Sequence, residues 1–314
     1  MREFDFKHLR DAYGEVLLEM GEKYPDIVVL DADLSGSTRT ARFGARFPER
    51  FFNMGVSEQD MMSTAAGLAL AGKRPVVSTF SIFATGRAWE QIRQSIAYAK
   101  ANVKIVATHG GVTVGEDGAT HQMLEDFALM RVLPNMRVFC PADYYETKAV
   151  VRRVIESEGP AYVRLSRAKF PVIFNEDHQF EIGKAQVLRK GKDLTAIGVG
   201  ITVYSLLLAA EELQKEGISV EVINSPSIKP LDGETIEASA RKTGRVFTAE
   251  EHSVIGGLGS AVAEYLAQHY PVKMRIHGIK DIFGRSGQAM ELLAYFRLDP
   301  RGVKEEILDF LERG

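Results

Sequence analysis

One cysteine and one tryptophan are all that the 314 residues contain. A lone Cys140 excludes an internal disulfide and a cysteine-rich metal knot, and it fits a reducing compartment. Its setting, Val138-Phe139-Cys140, suits a small buried hydrophobe. Neither sign of charge is in excess: 39 Lys and Arg stand against 42 Asp and Glu, a net charge of -3. No electrostatic footprint for nucleic acid or an anionic membrane results, so any anion site must be a local cluster. Long apolar runs are missing too. The stretch Ala65 to Gly72 falls far short of the roughly 20 residues that span a bilayer. The charged start Met1-Arg2-Glu3-Phe4-Asp5 has no apolar core behind it, so a cytoplasmic location is expected. No Gly-x-Ser-x-Gly, no Gly-Lys-Ser/Thr and no Gly-Asp-Gly occurs, which argues against an esterase elbow and a standard phosphate loop.

What is present is an ordinary globular composition, 45% hydrophobic and 26% charged, in a chain long enough for two domains. Short apolar runs at Ile27 to Leu30, Pro75 to Phe80, Val103 to Ala107 and Met136 to Phe139 predict buried strands. Helical periodicity lies between and after them, at Tyr13 to Lys23, Ala88 to Lys100, Leu124 to Val132 and Tyr145 to Glu156. Such alternation predicts an α/β fold with a parallel sheet covered on both faces. The rhythm breaks across residues 171–192, a linker with room for one strand. A smaller open α/β sheet follows, with strands at Leu194 to Gly198, Ser219 to Ile223, Arg245 to Thr248 and Val272 to Ile276. Helices are expected at Val203 to Gln214 and Gly259 to Gln268. The expected division is therefore 1–170, linker 171–192, and 193–314.

Two stretches carry chemistry. In Asn53-Met54-Gly55-Val56-Ser57-Glu58-Gln59, Ser57 can cap a helix that begins at Glu58, with Asp60 as a capping-box partner. The residues beyond are small and apolar on nearly every side, which predicts a buried helix. A carboxylate at its mouth either complements the helix dipole or serves a ligand. The second stretch, His109-Gly110-Gly111 to Gly115-Glu116-Asp117-Gly118-Ala119-Thr120-His121-Gln122, begins where a strand ends, the place where open α/β sheets bind ligands. His121 and Glu125 could share a face toward a metal, although no third ligand is evident. Gly256-Gly257-Leu258-Gly259 lacks dinucleotide spacing and suits a tight turn with close packing.

Taken in order, Gly55-Val56-Ser57-Glu58, Ser78-Thr79-Phe80-Ser81-Ile82-Phe83, Gly115 to Gln122, Pro141-Ala142-Asp143, Leu165-Ser166-Arg167, Lys229-Pro230-Leu231-Asp232 and Glu250-Glu251-His252 resemble the C-terminal half of transketolase over essentially the whole chain. The resemblance implies a pyrimidine-binding domain followed by a transketolase C-terminal domain. In that family the acid matching Glu58 holds N1′ of the aminopyrimidine of thiamine diphosphate. For it to share a proton near neutral pH, burial must outweigh the helix terminus. Phe80 and Phe83 match aromatic positions around that ring. Where the family places a third aromatic, this chain has Gly86 followed by Arg87. Asp117 matches an acid near the sugar C2 hydroxyl, and His121 a residue of the substrate channel. Arg10, Ser37, His109 and Arg167 match the positions that bind the sugar's terminal phosphate, and a guanidinium fork suits that task.

The missing Gly-Asp-Gly matters here. In the family it belongs to another domain, which holds the diphosphate and its metal. The resemblance thus implies one subunit of a split transketolase, an α2β2 assembly in which an N-terminal partner holds the divalent Mg or Ca ion. The reaction implied is reversible transfer of a two-carbon ketol unit between sugar phosphates. Two alternatives stay open: a related thiamine enzyme subunit (deoxyxylulose-phosphate synthase-like or 2-oxo acid dehydrogenase E1 β), and a non-catalytic assembly subunit.

Overall fold

A computed structural model describes residues 4–312; the charged Met1-Arg2-Glu3 lies outside them. In the first half the strands are β1 (Phe6–His8), β2 (Ile27–Asp31), β3 (Phe51–Asn53), β4 (Arg74–Ser78), β5 (Lys104–Ala107), β6 (Arg137–Phe139), β7 (Ala161–Arg164) and β8 (Lys169–Pro171). In the second half they are β9 (Gln186–Arg189), β10 (Leu194–Gly198), β11 (Val220–Asn224), β12 (Ser227–Lys229), β13 (Arg245–Ser253) and β14 (Lys273–Ile279).

The first sheet has seven strands in the order β12-β6-β7-β5-β4-β2-β3. All its neighbours pair in parallel except β12, which runs antiparallel to β6. Side chains alternate between its faces. Ile27, Val29, Val76 and Val163 pack with Tyr13, Leu17 and Met20 of the Leu9–Lys23 helix and with Val150 and Val154 of the Tyr144–Glu156 helix. Val28, Leu30, Val77 and Ile105 share the other core with Met61, Met62, Ala65 and Ala66 of the Glu58–Leu70 helix. Burial on both faces is why these strands are almost uniformly apolar.

The second sheet, β14-β13-β10-β11-β9, is parallel apart from its edge strand β9. That strand comes from the stretch read as a linker. The antiparallel ribbon β1-β8 closes the start of the first half onto its end.

The sequence reading needs correcting at three places. The Glu58–Leu70 helix is buried on one face only, since Gln59, Asp60, Ser63, Gly67 and Leu70 are exposed. Small side chains made every face look apolar, but only one meets the sheet. Ser57 precedes that helix without capping it: its hydroxyl donates to the Met54 carbonyl at 2.6 Å. The expected helix over Ala88 to Lys100 is instead a short α-helical turn, Trp89–Gln91, between two π-helical segments, Ile82–Arg87 and Ile92–Tyr98. Widened turns of this kind tend to mark functional sites.

Several of the quoted motifs turn out to fasten the linker or to join the halves. Asp143 caps the Tyr144–Glu156 helix by accepting from Glu146 N, and its other oxygen accepts from Ile173 N and Phe174 N at 2.7 Å each. Asp232 likewise caps the Gly233–Thr243 helix and accepts from Ala185 N at 2.9 Å. Lys229 donates to the carbonyls of Arg131 and Leu133 at 2.7 and 2.6 Å. At the centre lies Arg164, 3% exposed: it reaches Asp126 Oδ1 at 3.3 Å and the Glu251 carbonyl at 2.6 Å, and stands 3.7 Å from the Glu251 carboxylate. Tyr162 donates to Asp126 Oδ2 at 2.7 Å, and Glu251 accepts from Thr113 N. Of the neighbouring residues in the Glu250-Glu251-His252 run, Glu250 accepts from Leu258 N and Gly259 N at 2.7 and 2.8 Å, and His252 stacks on Phe127.

Removing Arg164 leaves two buried carboxylates uncompensated. Arg164→Ala should lower the unfolding free energy by about 3–5 kcal/mol, the usual cost of stranding a buried charge. Urea denaturation measures it, and a loss under about 1 kcal/mol, within the range of exposed ion pairs, would contradict this assignment.

Candidate functional site

Glu58 opens its helix where β3 gives way to a turn through Gly55, whose φ of +70° only glycine adopts without strain. Its side chain is 1% exposed and meets one cation: Arg87 Nη1 donates to Glu58 Oε2 at 2.7 Å. The same guanidinium lies over the Phe83 ring, 4.5 Å from its centroid. Phe83 is nearly parallel to Phe80, with centroids 5.8 Å apart and planes at 14°, and Phe80 stacks on His109 at 3.7 Å. A line of flat groups therefore runs from the carboxylate to the glycine-rich loop.

His109 sits at φ +61°, left-handed backbone for a residue with a side chain, the kind of local strain that clusters at binding sites. The ring is 2% exposed and Nδ1 lies 2.7 Å from the Thr108 hydroxyl. Burial first, and the nearby Arg10 and Arg167 next, push its pKa from 6.5 down to about 3, so the imidazole is neutral. It can hydrogen-bond an anion but brings no charge to one.

Charge comes instead from a cavity of about 210 Å3 lined by His8, Arg10, Thr113, Gly115, Glu116 and Arg167 and closed by Gly287, Gln288 and Ala289 of the second half. Arg10 Nη1 donates to the Ser37 carbonyl at 3.1 Å, and its Nε has no hydrogen-bond partner. Arg167 Nη1 donates to the Val114 carbonyl at 2.9 Å, and its own carbonyl lies 3.0 Å from His8 Nδ1. Burial, then Arg39, then Arg167 disfavour the Arg10 cation, with Asp11 opposing them. An anion placed between the guanidiniums relieves that strain.

The loop between these groups owes its shape to Arg164. At Gly110 and Gly111 a Cβ would collide with the Arg164 side chain, and Gly111 has φ +80°. Gln122 donates to the carbonyls of Val112 and Arg285, pinning the loop to the second half.

Of the residues singled out from sequence, Glu58, Phe80, Phe83 and His109 form one contiguous group, with His121 edge-on to Phe83 at 5.6 Å. Arg10, Arg167 and the Ser37 backbone form the second. Asp117 is exposed on the same loop and makes no hydrogen bond among those described. Glu125 turns away from a metal role, accepting from Leu124 N. Among the described residues no three His, Cys, Asp or Glu side chains are grouped to hold a metal ion.

Several residues of the site were not selected from sequence. Arg87 was visible only as the neighbour of Gly86. His8 and Arg39 carried no motif. Gln288, which donates to Glu116 Oε1 at 2.5 Å, and Ser286, which donates to the Glu116 carbonyl at 2.6 Å, come from the far end of the chain, where no local pattern marks them.

Known proteins resemble the chain over nearly its whole length. Residues 7–172 match the transketolase pyrimidine-binding domain and residues 183–303 the transketolase C-terminal domain. A Methanocaldococcus jannaschii protein, described provisionally as a transketolase C-terminal section, is 52% identical over 311 residues, 98% of either chain. A 6-deoxy-6-sulfo-D-fructose transketolase subunit of Clostridium sp. strain MSTE9 is 42% identical, covering 97% of this chain and 95% of that one. A solved structure described as a split gene transketolase, an inactive β4 tetramer, superposes with a TM-score of 0.89 at 50% identity, over 97% of this chain and 98% of that one. The chain belongs to the transketolase family.

The neutral state of His109 is open to measurement. A folded-state pKa below 6.5 means that its contribution to stability is present above about pH 6.5 and is lost as the pH falls toward about 3. Its ring NMR shifts should stay those of neutral imidazole from pH 8 to 5. A midpoint near 6.5 would contradict the burial argument.

Proposed function

We propose that this chain is the C-terminal subunit of a split transketolase that moves a two-carbon ketol unit between sugar phosphates. The observation that carries the reading is Glu58, a carboxylate 1% exposed, at one end of a run of stacked rings whose other end lies beside two arginines. A ring-binding acid and an anion clamp joined by a row of stacked rings suit a cofactor-dependent sugar-phosphate enzyme.

The residues present fit thiamine diphosphate. Glu58 would hold the proton at its ring nitrogen, and Phe80 and Phe83 would flank the ring. Bound there, the cofactor supplies the nucleophilic carbon and the electron sink for ketol transfer. The chain's own residues do the rest. Arg10 and Arg167, with Ser37 and His109, take the terminal phosphate, and their charge fixes the register of the sugar. Asp117 and His121, on the loop between phosphate and ring, orient the substrate hydroxyls. The second half, through Gln288 and Ser286, holds that loop over the path and limits access of water.

The diphosphate and its divalent ion have no Gly-Asp-Gly loop here, so they are assigned to an N-terminal partner subunit, giving an α2β2 heterotetramer. The relative described as an inactive β4 tetramer supports this division of labour. The clamp favours this reading over the E1 β alternative, because a 2-oxo acid needs no terminal phosphate site. A non-catalytic role leaves the burial of Glu58 without a purpose. We place the enzyme in the cytoplasm, which suits the buried, free Cys140, and in pentose phosphate metabolism on the strength of the sugar-phosphate substrates assigned to it.

The test is to co-express the chain with a Gly-Asp-Gly-bearing partner and assay xylulose 5-phosphate with ribose 5-phosphate, against pyruvate as the competing donor. Ketol transfer should appear only in the complex and vanish in Glu58→Ala. Turnover of pyruvate without ketol transfer would overturn the assignment. Arg10→Met should raise KM for phosphorylated donors about 10- to 100-fold, the worth of one charge-assisted hydrogen bond, while kcat changes little.

A further inference from the structure

The two contacts of Arg87 are the two that the cofactor ring needs. A guanidinium is planar, carries N–H donors along its edge and is electron-poor on its face, and an aminopyrimidine shares the flat shape and the edge donors. Arg87 uses one edge donor on Glu58 Oε2 at 2.7 Å and lays its face over Phe83 at 4.5 Å. Glu58 is 1% exposed, so its carboxylate has little surface left for a second flat partner. Arg87 and the ring therefore exclude one another.

The side chain is built to leave. Arg87 is 45% exposed, so it reaches the carboxylate from the solvent side rather than being sealed in with it. It stands at the end of the π-helical segment Ile82–Arg87, next to Gly86, where a Cβ would meet nothing closer than Ile82 Cδ1 at 3.7 Å. A widened turn followed by open space lets the residue rotate outward without disturbing the core. Outside, it finds water; inside, the carboxylate and the ring hold it.

We propose that Arg87 occupies the ring site of the unloaded subunit and is expelled when the thiamine ring enters. The inference rests on the assignment of Glu58 and Phe83 as the ring site. Held in place, Arg87 neutralises Glu58 while no cofactor is present. It also lowers the apparent affinity for the cofactor by the fraction of molecules in which it has already swung out.

The experiment uses the full chain copurified with its diphosphate-binding partner, titrated with thiamine diphosphate at fixed Mg2+. Binding is read by calorimetry. Emission from the chain's only tryptophan, Trp89, two residues from Arg87, follows in parallel by comparison with a Trp89→Phe control. Arg87→Ala and Arg87→Gln should each bind at least about fivefold more tightly than the parent, as expected for removal of a competing conformer. Two replacements are used because alanine strips the carboxylate of every partner, whereas glutamine keeps a neutral donor and preserves folding. Equal or weaker binding by the folded variants, with normal binding by the parent and loss of binding in Glu58→Gln, overturns the role of Arg87 alone. Binding that is unaffected by Glu58→Gln overturns the ring-site assignment, and the proposal with it.

Discussion

A guanidinium sealed inside a protein has to be met by carboxylates, and Arg164 takes them from both halves of the chain. Asp126 answers from the first half and Glu251 from β13 of the second. The same Glu251 carboxylate receives Thr113 N, and the same guanidinium fills the space that side chains at Gly110 and Gly111 would need. One buried charge thus joins the two halves and shapes the start of the loop that carries His109, Asp117 and His121. The conformation of that loop follows from electrostatics a layer beneath it.

Above this layer, the stacked rings of His109, Phe80 and Phe83 lie between a group of arginines at one end and the Arg87–Glu58 pair at the other. Cations gather at one end, where Arg10 and Arg167 line a cavity shared by the two halves and Arg39 stands near Arg10, and the neutral His109 separates them from the rings of Phe80 and Phe83. An imidazole that carried charge at this junction would be repelled by both arginines. Burial removes that conflict by keeping it neutral. At the other end stands the buried Glu58 carboxylate, paired with Arg87.

How much of this was legible in the sequence depends on how local its cause is. Strands β2, β5 and β10 announced themselves as apolar runs because both of their faces are covered, and the start of the Glu58 helix was placed correctly. The reason was wrong, since Ser57 turns back to Met54 instead of capping. Gln59, Asp60 and Ser63 mark the exposed face of that helix, but Gly67 and Leu70 further along carry no polar group to continue it. The π-helical turns were missed for a related reason: a one-residue widening leaves composition unchanged and shifts only the phase of the pattern. Glu58 stood out as a carboxylate opening an apolar helix, whereas Phe80, Phe83, Arg10 and Arg167 were selected through the resemblance. Arg87, His8 and Gln288 escaped both. Their roles arise from tertiary proximity, and in Arg87 from a departure from the family pattern.

The outermost strand of the first sheet, β12, is donated by the second half and pairs antiparallel with β6, while Lys229 beside it clasps two carbonyls of the first half. Exchanging the second unit by recombination would uncover a strand edge and leave Arg164 facing one carboxylate fewer. The first unit is therefore not self-sufficient: without the second it has an open edge beside β6 and an under-compensated buried guanidinium.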